Sequence, residues 1–305
     1  MSVSWASFKH LGPYRLLNVV NVGQTSLVWR ACDEDRKQFF AIKTLQDEFL
    51  ADREQVRFLR WEYTVGHSLD HPRIIRFYDQ GTVRRLPYVV MEWFDGINMK
   101  QLCRQGLERF GHLAPKILIQ ATEAVSGMNE AGWVHRDIKP ENFLVSKTGD
   151  VKLIDFALAR RIPKGLARFF SPKTKIQGTR SYMSPEQIRG RHVDSRADLY
   201  SLACSLFELL VGRPPFTGAS AHDLLIKHLK AAPPNVEAYN RNVTPEFSQL
   251  LRQALAKKPA NRPASTQEFL KELRGIRVFR REMPPPEDYE AAPSDQEQSP
   301  DAGSG

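Results

Sequence analysis

Cysteine is scarce in this chain. Cys32, Cys103 and Cys204 are three, widely spaced and odd in number. That pattern excludes a disulfide framework and a zinc-type spacing, and it points to a reducing, cytoplasmic setting. Long apolar runs are missing too. The first nine residues, Met1 to Lys9, lack the apolar core of a secretory leader. The longest apolar-looking run, Leu199 to Gly212, is broken by Ser201, Ser205 and Glu208, so it reads as a buried helix and no transmembrane segment is expected. Bases are absent from residues 284–305, which carry six acids and five prolines. So little apolar surface cannot offset the entropy of ordering, and 283–305 is expected to be a disordered acidic tail. Acids are absent from residues 160–180, which carry seven bases. The whole chain has a net charge of +9, so the part outside the tail is at +15. That surplus reads as a solvated basic surface, and no specific nucleic-acid partner is expected.

What is present is ordinary globular composition, with 41% apolar and 26% charged residues. A chain of 305 residues holds one large domain or two lobes with a sizeable core. The most informative stretch is His135-Arg136-Asp137-Ile138-Lys139-Pro140-Glu141-Asn142. Asn142-Phe143-Leu144-Val145 and Val151-Lys152-Leu153-Ile154 then flank a Lys-Thr-Gly-Asp turn, which reads as a hairpin. Such a hairpin brings Asn142 and Asp155 to one end of two paired strands. Two oxygen donors at one point suit magnesium. Asp137, on the loop entering the hairpin, is placed to accept a proton from a nucleophile beside that ion.

Ahead of this stretch the chain reads as strands over 14–20, 26–31, 38–43, 74–78 and 87–93, with a helix over 52–69. After it, and from Pro115 onward, helices are expected over 115–132, 196–211, 219–230, 244–257 and 265–275.

The spacing of His135-Arg136-Asp137, Lys139, Asn142 and Asp155-Phe156 resembles the catalytic and metal-binding loops of protein kinases. The segment Gly178-Thr179-Arg180-Ser181-Tyr182-Met183-Ser184-Pro185-Glu186-Gln187 is similar to that of eukaryotic-like, bacterial-type serine/threonine kinases. The resemblance implies an α+β, bilobal fold. It places an N-terminal extension at 1–11 and a kinase domain at 12–275, divided into a small antiparallel-sheet lobe with one main helix (12–93) and a mainly helical lobe (97–275).

The resemblance also implies ATP and Mg2+ as cofactors and protein Ser/Thr hydroxyls as acceptors, with a transient homodimer for autophosphorylation. On it Asp137 is the base and Lys139 steadies the γ-phosphoryl group, while Asn142 and Asp155 hold the metal. Lys43 grips the α- and β-phosphates, oriented by Glu62. Val20, Val28, Ala41 and Leu144 would sandwich the adenine, with Met91 behind it and the backbone of Glu92 to Phe94 along its edge. Thr179 would bond the catalytic pair, Glu186 would pair with Arg262, and Asp198 would hold the catalytic loop from below. Ser171 and Thr174 are phosphosite candidates whose phosphates would meet the surrounding bases.

Four departures stand out. Of three expected glycines over the phosphates only Gly23 is present, with Asn21 and Ser26 at the other places; Asn21 is expected to supply a positive φ there. Ala157 replaces a glycine after Asp155-Phe156. Gly66 stands where a bulky apolar residue is usual, one turn after Glu62. It is expected to cost roughly 1 kcal/mol of helix stability relative to Ala and to remove packing against the metal-binding loop. A nucleotide-binding scaffold without transfer therefore stays as the alternative. A small-molecule phosphotransferase shares the Asp, Asn, Asp core but would lack the Gly-Thr and Ser-Pro-Glu segments.

Overall fold

Alternation of side chains builds the first lobe. The computed structural model describes residues 9–162 and 178–287. Strands β1 (His10–Leu11), β2 (Tyr14–Val22), β3 (Ser26–Asp33) and β4 (Gln38–Leu45) come first. In β3 every second side chain, from Leu27 to Asp33, is buried, the period of a half-covered strand. Helix α1 (Arg53–His67) follows, capped by Asp52 through the amides of Glu54 and Gln55. Strands β5 (Phe77–Val83) and β6 (Leu86–Glu92) complete an antiparallel sheet in the order β1-β2-β3-β4-β6-β5. The turn between β5 and β6 is made by Arg84 and Arg85, both with left-handed backbones (φ 47° and 72°), as a two-residue hairpin requires.

The sequence places a strand at 74–78, but the sheet strand begins only at Phe77. Ile74 instead bridges Leu153 in parallel, and the Leu153 amide donates to the Arg73 carbonyl at 2.8 Å. Arg73 anchors this crossover, lying within ion-pair distance of Asp150 and Glu123. Residues 73–75 therefore join the sheet lobe to the lobe below it.

The second lobe opens with β7 (Ile97–Asn98), α2 (Met99–Gln105) and a short α3 (Leu107–Phe110). Helix α4 (Ala114–Glu130), β8 (Trp133–Val134), β9 (Phe143–Val145), β10 (Val151–Leu153) and β11 (Arg160–Arg161) carry the chain to residue 162. Beyond residue 178 come α5 (Pro185–Ile188), α6 (Ser195–Val211), α7 (Ala221–Lys230), α8 (Pro245–Ala254) and α9 (Thr266–Arg274). Helix α6 is buried from Ala197 to Leu210, which is why its sequence lacks a polar face. It is the central rod of this lobe.

The packed body is wider than 12–275 at both ends. Leu11 is fully buried in the sheet lobe. Past α9, Phe279 bridges Val243 and Met283 packs on the helical core. Ser171, Thr174 and the tail from residue 288 lie outside the described residues.

Candidate active site

The β9–β10 hairpin has the register Phe143↔Leu153, Leu144↔Lys152, Val145↔Val151. One step further, the Ile154 amide donates to the Asn142 carbonyl at 2.9 Å. Asn142 and Asp155 thus lie at the same end. Asn142 is buried, and its Nδ2 donates to the Asp137 carbonyl at 2.9 Å, which leaves its amide oxygen as the free donor atom for a cation. Asp155 has a positive φ of 66°, a conformation a non-glycine residue holds only when its surroundings impose it. Phe156, fully buried, packs next to it on Phe77 and His135 at 5.7 and 5.6 Å between centroids. The Ala157 amide donates to Asp155 Oδ1 at 3.4 Å.

Asp137 sits at the middle of a second set of bonds. Lys139 Nζ donates to Asp137 Oδ2 at 2.7 Å and to Thr179 Oγ1 at 3.0 Å, and the Thr179 amide donates to Asp137 Oδ1 at 2.8 Å. Gly178 makes that approach possible. Its φ is +120°, and a Cβ there would stand 3.1 Å from the Arg136 carbonyl. Below, Asp198 accepts the amides of His135 and Arg136 at 2.8 and 2.9 Å, and the side-chain amide of Asn129 at 3.0 Å. Arg136 has a left-handed backbone (φ 71°), pinned by Asp198 on its amide and by Gln187 Nε2 on its carbonyl at 2.8 Å. Gln187 is thus a support that sequence reasoning did not single out, although its Ser184-x-x-Gln187 capping box is readable.

The third set comes from the sheet lobe. Lys43 Nζ lies 2.6 Å from Glu62 Oε2 and 3.8 Å from Asp155 Oδ1. Burial alone would lower the lysine's pKa, but the two carboxylates Asp155 and Glu62 outweigh it and hold it above its ordinary value, so Lys43 stays charged. Burial pushes the Glu62 carboxyl up to about 7, against the pull of Lys43. Burial also acts to raise Asp155, but Lys43, His135 and Lys139 reverse this and hold it below the ordinary carboxylate value.

Of the adenine-side residues, Val20 sits on a bulge of β2 between the pairs Val19↔Trp29 and Asn21↔Val28, which re-aims its side chain. Val28 pairs with Lys43 and Ala41 with Met91, so the four share one patch of sheet. Leu144 lies on β9 in the other lobe, and Phe94 follows β6 in the connection between lobes. The Glu92 amide is taken by the Arg76 carbonyl at 2.8 Å, and its carboxylate by Lys152 at 2.8 Å. Asn21 does not adopt a positive φ; it stays in β2, paired with Val28. The turn closes instead by the Gly23 amide donating to the Ser26 carbonyl at 2.8 Å, and Gln46 Nε2 holds the Gly23 carbonyl at 2.6 Å.

Gly66 also behaves differently from expectation. A Cβ there would lie 2.2 Å from the Phe77 ring. Phe77 of β5 fills the place of the missing side chain and carries the contact on to Phe156. Packing against the Asp155-Phe156 loop is kept, with its volume supplied from the opposite element.

Glu186 and Arg262 form a two-pronged pair at 2.7 and 2.9 Å. Arg262 also donates to the carbonyls of Ala256 and Arg196, at 2.8 and 2.7 Å. An open cavity of about 940 Å³ lies elsewhere, between the His71–Arg73 turn, α4 and α9, and shares none of these residues.

The chain belongs to the protein kinase domain family, whose model matches residues 14–272. Its relatives include bacterial serine/threonine kinases. It is 33% identical over 266 residues to a probable serine/threonine-protein kinase of Clostridium perfringens, covering 87% of this chain and 38% of that one. It is 33% identical to the serine/threonine-protein kinase PknB of Mycobacterium tuberculosis, covering 89% and 44%. It is 34% identical to PrkC of Bacillus subtilis, covering 85% and 39%. The chain thus spans about two fifths of the length of these relatives.

Proposed function

We propose that the chain transfers the γ-phosphoryl group of ATP to serine or threonine hydroxyls of proteins. The observation that carries this is the bonding of Asp137 to Lys139 and Thr179 beside Asn142 and Asp155. On this reading Asp137 orients the acceptor hydroxyl and takes its proton. Lys139, already bonded to Asp137, neutralises charge that develops between the reacting oxygens. Lys43, held by Glu62, binds the inner phosphates.

The donor set fits magnesium. Asn142 and Asp155 supply two oxygens, and an ion of this kind completes its shell with phosphate oxygens and water. Among the described residues no group of three or more His, Cys, Asp or Glu forms a metal cage of its own, in keeping with that sharing. When bound, the ion neutralises the phosphate oxygens. The protein's part is positioning, which supplies much of the rate in such reactions.

Protein substrates are part of this reading because Thr179 bonds Asp137 and Lys139 and the buried Glu186–Arg262 pair anchors the segment that follows Thr179, segments a small-molecule phosphotransferase does not need. Ser171 and Thr174 are proposed as sites of autophosphorylation, between two transiently paired copies. Among the described residues no helix is long and apolar enough to cross a membrane, and a cytoplasmic location is part of this proposal.

Incubation with ATP and magnesium, followed by phosphosite mapping on the protein and on an added lysate, tests the reading. Incorporation on Ser and Thr, lost by at least roughly a thousandfold in Asp137→Asn, is the expected result. Nucleotide binding without incorporation would establish the scaffold alternative.

A further inference from the structure

Two tryptophans meet behind the cleft. Trp61 precedes Glu62 on α1, and consecutive helical residues point about 100° apart. While Glu62 turns to Lys43, Trp61 faces the other lobe. Its Nε1 donates to the Ala159 carbonyl at 2.9 Å, and its ring meets Trp133 edge-on at 5.7 Å. Trp133 lies on β8, which runs directly into His135-Arg136-Asp137. Strand β11, which leaves the Asp155 loop, pairs back on β8 through Trp133↔Arg161 and Val134↔Arg160. Arg160 covers the Trp61 ring at 5.6 Å and Arg161 covers the Trp133 ring at 4.2 Å. Their guanidinium groups also donate to the carbonyls of Ala159 and Ala131.

We infer that Trp61 and Trp133 form a clamp that fixes the rotation of α1 and so keeps Glu62 on Lys43. Trp61 is a positioning residue for the phosphate-binding lysine. The clamp joins three segments: the helix bearing Glu62, the strand entering the catalytic loop and the strand leaving the metal loop. Every contact in it is ring to ring, ring to cation or donor to carbonyl. None requires an anion, so closure of the Lys43–Glu62 pair does not wait for phosphorylation elsewhere in the chain. The buried face of α1 is Leu59, Glu62, Val65 and Gly66, with the Phe156 backbone bonded to Glu62; Trp61, next to that face, adds a separate tie to β8 and β11. The inference rests on the kinase reading for the meaning of Lys43, but not for the contacts themselves.

The test uses the full chain after phosphatase treatment, as wild type, Trp61→Phe, Trp61→Ala, Trp133→Ala and the double alanine variant. Amide exchange over α1, affinity for ATP with magnesium, and kcat and KM for ATP are measured. Trp61→Ala is expected to raise exchange across Arg53–His67 but not across α4. It should weaken ATP binding and lower kcat, each about tenfold. Trp61→Phe, which keeps a ring but loses the Nε1 bond, should lose about two- to threefold, and it decides the matter on the same readouts if the alanine variant does not fold. The double variant should be no worse than Trp61→Ala alone, because coupled residues are not additive. Exchange and ATP affinity within about twofold of wild type in Trp61→Ala, or additive losses in the double variant, would overturn the clamp. If wild type transfers no phosphate, the kinase reading fails while exchange and affinity still judge the clamp.

Discussion

Two buried ion pairs in this protein do opposite work. Arg262–Glu186 is two-pronged, with side chains 0% and 6% exposed, and Arg262 has further carbonyl acceptors. Lys43–Glu62 is a single contact, 16% and 3% exposed, with Asp155 waiting 3.8 Å away as a second partner. Arg262 cannot lose its proton, so removing Glu186 strands a buried charge. Glu62 has an escape, because burial already lifts its carboxyl to about 7 and it can go neutral. The first pair is built to stay closed. On the proposed function the second is remade around a ligand, and the difference lies in prongs, extra acceptors and a tunable proton rather than in burial.

The comparison breaks if both pairs respond alike to substitution. Glu186→Ala, which leaves the Arg262 charge buried without its carboxylate, is expected to cost about 3–5 kcal/mol of stability, read as a large fall in Tm with activity lost alongside. Lys43→Met should lower kcat/KM for ATP by roughly a hundred- to a thousandfold while Tm changes little, because Glu62 takes up a proton in place of its partner. A comparable drop in Tm for Lys43→Met would erase the distinction.

Acid sharpens it further. The folded pKa of Glu62, about 7, exceeds its ordinary value of 4.5. The folded protein therefore binds this proton more readily than the unfolded chain. The cost of burying the carboxylate is fully present above the folded value and relieved as pH falls through it. Between pH 8 and 6, ATP affinity should fall as the pair with the still-charged Lys43 weakens, with no loss of Tm traceable to Glu62. The affinity of Glu62→Gln should be lower and flat across that window. A wild-type affinity equally flat would show that the proton is not exchanged there.

Gly66→Ala probes the helix that carries Glu62. Helix propensity alone favours alanine by about 1 kcal/mol, but the added Cβ would meet the Phe77 ring at 2.2 Å. A net loss of about 1–2 kcal/mol is expected, with partial recovery when Phe77→Leu is added; a gain in Tm for Gly66→Ala alone would contradict the exchange of volume. The smallest effect should come from Asn21→Gly with Ser26→Gly, about two- to fivefold tighter ATP binding through closer backbone approach. Unchanged affinity would show that the present turn already approaches as closely as glycine would allow.

The lobes and the β9–β10 hairpin are legible because their signals are local: alternation in β3 and the Lys-Thr-Gly-Asp turn between β9 and β10. Helix α2 is equally readable from its capping box, Asn98 with Gln101, although Pro115 gives the stronger start signal for the helix after it. The strand expected at 74–78 failed because Ile74 and Ile75 are apolar for the sake of a crossover to β10, and a short apolar run does not say which partner it seeks. Gly66 looked like a defect because its compensation, Phe77, is 11 positions away on another element. No periodicity reports complementary volumes across a gap. Gln46, Gln187 and the Trp61–Trp133 contact were hidden for the same reason: their roles exist only once distant segments meet.

The turn of Arg84 and Arg85 carries a practical corollary. Two side chains held in a left-handed backbone each cost of order 1–2 kcal/mol, at a tip that holds none of the residues named for the cleft. Asn-Gly at this tip would relax it, offering an engineering handle by which the protein can be made hardier for crystallisation or screening while its chemistry is left alone.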